Sequence, residues 1–339
     1  MTRAKHTDEH TSGGHHASAH PHSRRVVRPV TPATRRGRRA AGERRDPYAE
    51  VTGRIIAALD RGTVPWRHPW RTRGHRNAVS GRPYRGINAL LLALVALQEQ
   101  YDDPRWLTFR QAEQLGGHVR RGEHGTSIVL WRWIERRDRT DEEVRERFPL
   151  MRLFTVFNVA QCEDVTLADA DPACAFDPLE RAEAILAGYD GGPSVFHDAD
   201  RAFYVPSKDE VHLPPRSAFR DADGYYATVF HELAHSTGHA SRLDRESIQT
   251  AAPFGSAVYS REELVAEFGA AFACDAAGID ASRLEQSAAY IDAWRTVLRA
   301  DQRLVVIAAG QGQRAADRIL GHVAVAPDDD SETPEEAAS

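Results

Sequence analysis

His231-Glu232-Leu233-Ala234-His235 is the stretch on which the reading of this chain turns. Two histidines four apart on a helix lie on one face, one turn from each other. Both imidazoles can then bind one divalent ion, with zinc the expected metal, and the glutamate between them can act as general base on a metal-bound water. The preceding run Tyr225-Tyr226-Ala227-Thr228-Val229-Phe230 is apolar and reads as the buried start of that helix. Asp221 or Asp223 is placed to cap its front, and Gly238 to end it. The pattern fixes only three residues, so its meaning depends on the surrounding sequence.

A third ligand is needed. Ser260 to Phe272 reads as a second helix, with Ser260 as N-cap and Glu263 at the capping-box position. Glu263 and Glu267 are four apart and share a face among small and apolar residues, where a carboxylate is costly to bury without a partner. In the plainer alternative, Glu263 only caps its helix while Glu262 and Glu267 are solvated. The arrangement resembles thermolysin-like zinc peptidases, in which a downstream helix supplies a glutamate ligand and an acid four residues later orients a ligand histidine. That resemblance implies Glu263 on the metal and Glu267 behind a histidine. The longer pattern HExxHxxGxxH fits through Gly238 and fails at Ser241. His239 is a minor alternative ligand, such residues more often being polar loop positions or substrate contacts.

With 339 residues the chain is long enough for two domains, each with its own core. Its formal charge of −5 hides an asymmetry: residues 1–46 carry +7, residues 47–164 carry +4 and residues 165–339 carry −16. Any nucleic-acid contact is therefore expected in the front half. Residues 1–45 are rich in His, Arg, Ser and Gly and are expected to be a disordered tail. Their run Arg35-Arg36-Gly37-Arg38-Arg39 suits phosphates or plain solubility equally. Residues 323–339 are expected to form a disordered acidic tail. No apolar stretch reaches membrane-spanning length, and no secretory h-region follows the basic leader. Three widely spaced cysteines, Cys162, Cys174 and Cys274, point to a reduced, cytoplasmic setting without a cysteine-based zinc site.

An α+β fold is expected, with a small α+β domain over 46–165 followed by a mainly helical domain with a small sheet over 176–322. In the front domain, Tyr48 to Leu59 has helical spacing, and Ile87 to Leu97 reads as a buried helix. Thr108 to Leu115 reads as a further helix. Thr126 to Ile134 and Arg152 to Val159 read as partner strands around a charged insert. Val64 to Arg71 is expected to be extended and irregular because of its prolines. Its interleaved Trp66, Arg67, Trp70 and Arg71 suit single-stranded nucleic acid, with rings stacking on bases and guanidinium groups on phosphates. The alternative is that the tryptophans pack in the core. In the back domain, Ala202 to Val205 and Glu210 to Leu213 read as a hairpin, a candidate edge for an extended substrate.

Ordered blocks along the chain resemble ArdC-type antirestriction proteins. In the front these are Pro65 to Trp70, Gly81-Arg82-Pro83-Tyr84-Arg85-Gly86-Ile87-Asn88, Trp106 to Phe109, Gly122 to Thr126 and Val156 to Cys162. In the back they are Leu213-Pro214-Pro215, Tyr225 to Thr228, the HELAH segment, Thr237-Gly238-His239, Arg242-Leu243 and Arg261 to Glu267. The resemblance spans roughly residues 46–322. It implies a front domain that binds single-stranded DNA and a zincin-like metallopeptidase domain behind it, in a protein that protects incoming mobile-element DNA. It carries over His231, Glu232, His235 and Glu263. The DNA-contacting candidates are Trp66, Arg67, Trp70, Arg82, Tyr84, Arg85 and Arg120. One Zn2+, or another divalent metal in its place, is the expected cofactor, and a DNA-associated protein the expected substrate. Glu232 would move the proton from water to the leaving amine, with Tyr259, His239 or Arg242 as oxyanion stabiliser. The rival reading is a DNA-binding shield whose metal site is structural or vestigial. A metal-dependent nuclease fits the single-ion donor set less well.

Overall fold

Asp46 accepts a hydrogen bond from the Tyr48 amide, and Pro47 takes the first helical position, where a missing N–H costs nothing. These two residues start α1 (Pro47–Asp60). The computed structural model describes residues 46–67, 74–137, 145–167, 177–249, 256–280, 282 and 288–322. The expectations for both tails and for Trp70 lie outside the described residues. By contacts, Arg45–Ser339 is one unit.

Pro65–Arg67 forms a single 3-10 turn, where the prolines suggested an extended run. After β1 (Arg76–Asn77), α2 (Gly86–Glu99) carries the apolar run Ile87 to Leu94 into the core. β2 (Arg105–Leu107) and α3 (Phe109–Gln114) follow, the latter started by a capping box between Thr108 and Gln111. β3 (His118–Val119), β4 (Thr126–Arg137), β5 (Arg145–Asn158) and β6 (Cys162–Glu163) complete the front half. The main sheet has the order β1-β2-β5-β4 and is antiparallel except for β1 against β2. The ladder of β4 and β5 extends to Arg137 opposite Arg145, so both ends of the expected charged insert are strand. A two-stranded ribbon has no core to fill at its outer end, so polar residues do not stop it there.

In the back half, α4 (Pro178–Gly188) precedes β7 (Ser194–Phe196), β8 (Phe203–Val205) and β9 (Glu210–His212). The expected hairpin forms between β8 and β9, and β7 adds in parallel on the other side of β9. Then come α5 (Ala222–Ser236), α6 (Glu246–Gln249), α7 (Ala257–Ala277), α8 (Ala288–Ala300) and α9 (Leu304–Ile319). α7 is buried along most of its length, between α5 on one side and α9 on the other. Two glycines permit that approach. A Cβ on Gly269 would stand 2.9 Å from the Ala234 Cβ, and one on Gly312 would stand 2.6 Å from the Phe268 Cβ.

The largest apolar cluster is shared between the halves. Val51, Ile55, Leu59, Trp66 and Leu90 from the front pack with Leu264, Phe268, Trp294 and Val305 from the back. The sequence reading expects a core in each half; the largest cluster takes its residues from both. A second cluster, with Phe230 and Ala266, lies behind the helix pair α5–α7. A third holds Leu92, Trp106, Ile128 and Val156 under the front sheet.

Buried His75 accepts from the Trp106 indole at 3.0 Å through Nδ1, and its other nitrogen bonds the Pro104 carbonyl. Burial holds its pKa down to about 4. The ring is therefore neutral when folded, and its stabilisation is complete above the unfolded value near 6.5 and lost as pH falls toward 4. Urea unfolding at stepped pH is expected to show about 3 kcal/mol lost over that interval that His75→Gln does not lose. Equal slopes in the two proteins would contradict this.

Candidate metal centre

Asp221 caps α5 by accepting from the Gly224 amide at 2.8 Å. Tyr225, Val229, Phe230 and Leu233 turn the buried face of this helix inward, and His231 and His235 follow one another along the face toward α7. The cap of α7 is Ser256, one turn earlier than the expected Ser260, and its hydroxyl accepts from the Tyr259 amide. Ser260 is buried inside the helix, and Glu263 belongs to no capping box. Glu262, Glu263 and Glu267 are all buried, so the alternative of solvated acids fails.

Three donors converge. The Nε2 atoms of His231 and His235 are 3.2 Å apart, with rings nearly perpendicular at 82°. Each oxygen of the Glu263 carboxylate lies 3.6 Å from one of those nitrogens. Ligands about 2.1 Å from a tetrahedral ion stand about 3.4 Å from one another, so the spacing fits one divalent cation. His231 Nδ1 is buried without a hydrogen-bond partner, while its Nε2 faces His235 and Glu263. Among the described residues, His231, His235 and Glu263 are the group of this kind able to hold a metal. Burial pulls the His231 pKa down, but Glu263, Glu232 and Glu267 outweigh it and hold it up to about 9. Burial likewise works against the Glu263 anion, yet the two imidazoles hold its pKa down to about 2. Glu262 and Glu267 are paired with Arg245 and Arg67, so Glu263 is the acid left facing both imidazoles.

Glu232 stays off the donor triangle. Burial raises its pKa, and the backbone N–H of Tyr204 on β8 donates to its carboxylate. Tyr204 pairs with Val211 on β9, so that N–H marks the outer edge of β8 as the side facing the site.

Of the residues considered as oxyanion donors, Arg242 is spent. Its guanidinium reaches the carbonyls of Ser236 and Gly191, both oxygens of Asp209 and the Tyr204 hydroxyl, pinning the end of α5 to the hairpin. His239 turns to Ser241 at 2.8 Å. Tyr259, one turn before Glu263, bonds its carboxylate and stays at the site.

Behind His235 stands Glu262, to which the sequence reading gave no role at the site. Its carboxylate lies 3.3 Å from His235 Nδ1 and accepts from the Arg245 guanidinium at 2.6 and 3.1 Å and from Ser247. Burial opposes the anion, while His235 and Arg245 hold its pKa below the usual carboxylate range. Arg245 also donates to Thr237 and to the Ala234 carbonyl, closing the turn after α5. The available signal was the pair Glu262-Glu263: adjacent acids on a helix buried all round both need partners.

The nucleic-acid candidates separate. Trp66 is fully buried, edge-on to Phe268 and Trp294, and the Arg67 side chain is nearly so, which removes both from any DNA surface. Both bond Glu267 instead. Arg85 is committed to Asp317 on α9. Tyr84 is half-buried against Asn77. Arg82 is exposed on its turn, and Arg120 pairs with Glu123 at 2.8 Å. Phe109, which the sequence reading passed over, is 52% exposed on α3.

Residues 180–311 match a model of zincin-like metallopeptidases, and residues 45–157 match one of the N-terminal domain of the anti-restriction factor ArdC. The back half is thus a zincin-like metallopeptidase domain, which implies a divalent metal. A metal-free crystal structure of the antirestriction protein ArdC from plasmid R388 is 38% identical, with TM-score 0.68, covering 82% of this chain and 98% of that one. A Mn(II)-bound structure of the same protein gives 37% identity and a TM-score of 0.67, over 83% of this chain and 99% of that one. The chain belongs to the ArdC antirestriction family. An uncharacterized protein, y4eC, of Sinorhizobium fredii is 36% identical over 285 residues, covering 80% of this chain and 91% of the relative. The DNA primase TraC of Escherichia coli is 38% identical over 295 residues, but this chain spans only 27% of its length. Among the described residues, no helix is long and apolar enough to cross a membrane.

Arg245→Ala would leave Glu262 buried and uncompensated, at an expected cost of about 3–5 kcal/mol in urea unfolding. A cost below about 1 kcal/mol would mean that the pair behaves as a solvated one.

Proposed function

We propose that this protein defends incoming single-stranded DNA against restriction, with a zinc-dependent peptidase centre carried next to a DNA-binding front half. The observation that carries the peptidase reading is the separation of roles at the site: His231, His235 and Glu263 face one another as donors, while Glu232 is buried beside them and held by β8. We assign the metal to His231, His235 and Glu263. Two imidazoles and a carboxylate suit zinc, and also manganese.

A bound divalent ion supplies Lewis acidity at this site. Glu232 takes the proton of the attacking water and returns it to the leaving amine. Its raised pKa favours the return step, and the Tyr204 amide keeps the carboxylate from swinging away. The Tyr259 hydroxyl, which bonds Glu263 at the site, becomes the donor for the developing oxyanion by turning away from that carboxylate. β8 offers its outer edge, and a peptide laid along it as a further strand brings its scissile bond to Glu232. The substrate is a protein held near DNA, and the setting is cytoplasmic. On the front half, we assign DNA contacts to Arg82 and Arg120 and to the segment that contains Trp70, with Phe109 as a stacking surface.

Glu232→Gln is the test. Cleavage of a fluorogenic peptide mixture with zinc present is expected to fall at least about 100-fold while affinity for a single-stranded oligonucleotide is kept. Protection of unmodified DNA on transfer into a restricting host should be lost with it. Full protection by Glu232→Gln would assign defence to DNA binding alone, with the metal site structural.

A further inference from the structure

A metal-binding histidine normally donates its second ring N–H to an acceptor that fixes the ring. His235 has such an acceptor in Glu262. His231 does not: its Nδ1 is buried and unsatisfied, and the Glu267 oxygen nearest to it is 3.7 Å away. That gap is beyond a hydrogen bond, by less than 1 Å. What sets the place of Glu267 is the front half of the chain. The Arg67 guanidinium grips both of its oxygens, with Nε at 2.8 Å, and the Trp66 indole donates to one of them at 3.1 Å. Trp66 is itself wedged between Phe268 and Trp294 at ring distances of 4.8 and 5.4 Å. The strap Pro65–Arg67 therefore reaches across some 200 residues of sequence to hold one acid beside a candidate metal ligand.

We propose that Arg67, seated by Trp66, is a positioning residue of the metal centre, acting through Glu267 on His231. The inference rests on the metal-centre reading above. A buried carboxylate keeps its aim only while fixed partners hold it. Arg67 supplies that cation in a two-pronged geometry that lysine cannot copy. The paired carboxylate then lies where a short ring movement lets His231 Nδ1–H reach it when Nε2 takes a metal. The consequence is that the back half holds His235 by itself but relies on the front half to fix His231. The residues that complete it lie in the front half, directly before the segment that carries Trp70.

The test is Mn(II) affinity of the full chain, read by electron paramagnetic resonance of free Mn(II). Binding left in His231→Ala serves as background for the histidine-rich tail. Arg67→Ala is expected to bind Mn(II) about 10- to 100-fold more weakly than wild type, with unchanged affinity for a single-stranded oligonucleotide. Arg67→Lys should recover part of the loss. Glu267→Gln keeps the shape and removes the charge; it should show a similar loss and add little to Arg67→Ala. If Arg67→Ala does not fold, Glu267→Gln decides. Wild-type Mn(II) affinity in folded Arg67→Ala or in Glu267→Gln, with His231→Ala weakened, overturns the role of Arg67 and leaves the metal reading standing. Unchanged affinity in His231→Ala overturns both. A loss of oligonucleotide binding in Arg67→Ala without loss of Mn(II) binding also overturns it and returns Arg67 to the DNA surface.

Discussion

Burying a carboxylate costs several kcal/mol unless a partner is built around it. Here Glu232, Glu262, Glu263 and Glu267 are buried together where α5 meets α7. Each has a distinct answer to the same constraint. Glu263 faces two imidazoles, Glu262 has Arg245, Glu267 has Arg67 and Trp66, and Glu232 has the Tyr204 amide. Those partners come from the turn after α5, the β8 edge and the front strap. Satisfying four acids thus draws in most of the molecule. The close approach at Gly269 and Gly312 brings the helices near enough for this to happen.

The same constraint joins the two halves. Arg67 on Glu267 and Arg85 on Asp317 are both ion pairs from front to back. Around them the apolar cluster of Val51, Trp66, Phe268 and Trp294 is continuous. Residues that looked like a DNA surface serve as the seam. Arg67 and Arg85 are therefore basic residues of the front half that the structure accounts for without nucleic acid.

The two parts of the candidate metal site were legible because each is local: helical spacing puts His231 beside His235 and Glu263 beside Glu267. That the two helices meet came from the resemblance to zinc peptidases, and the small residues of α7 signal close packing. What escaped was what depends on distant pairing. Interleaved tryptophan and arginine read alike whether they stack on bases or plug a core, and only the fold shows that Trp66 lies on Phe268. Glu262 drew no role from the sequence because its partner, Arg245, sits beyond a turn. β7 was missed since its parallel pairing with β9 leaves no hairpin signal. Ser260, three residues before a glutamate, fits a capping box in sequence, whereas the helix runs a turn further back to Ser256.

The central claim is that these acids and histidines form one divalent-metal centre locked by both halves of the chain. Anomalous diffraction at the zinc edge from crystals of the full chain grown with zinc tests it most directly. The account predicts a single strong peak bounded by His231 Nε2, His235 Nε2 and the Glu263 carboxylate, with Glu267 still held by Arg67. A peak confined to histidines elsewhere, with the His231–His235–Glu263 triangle empty at saturating zinc, would contradict it.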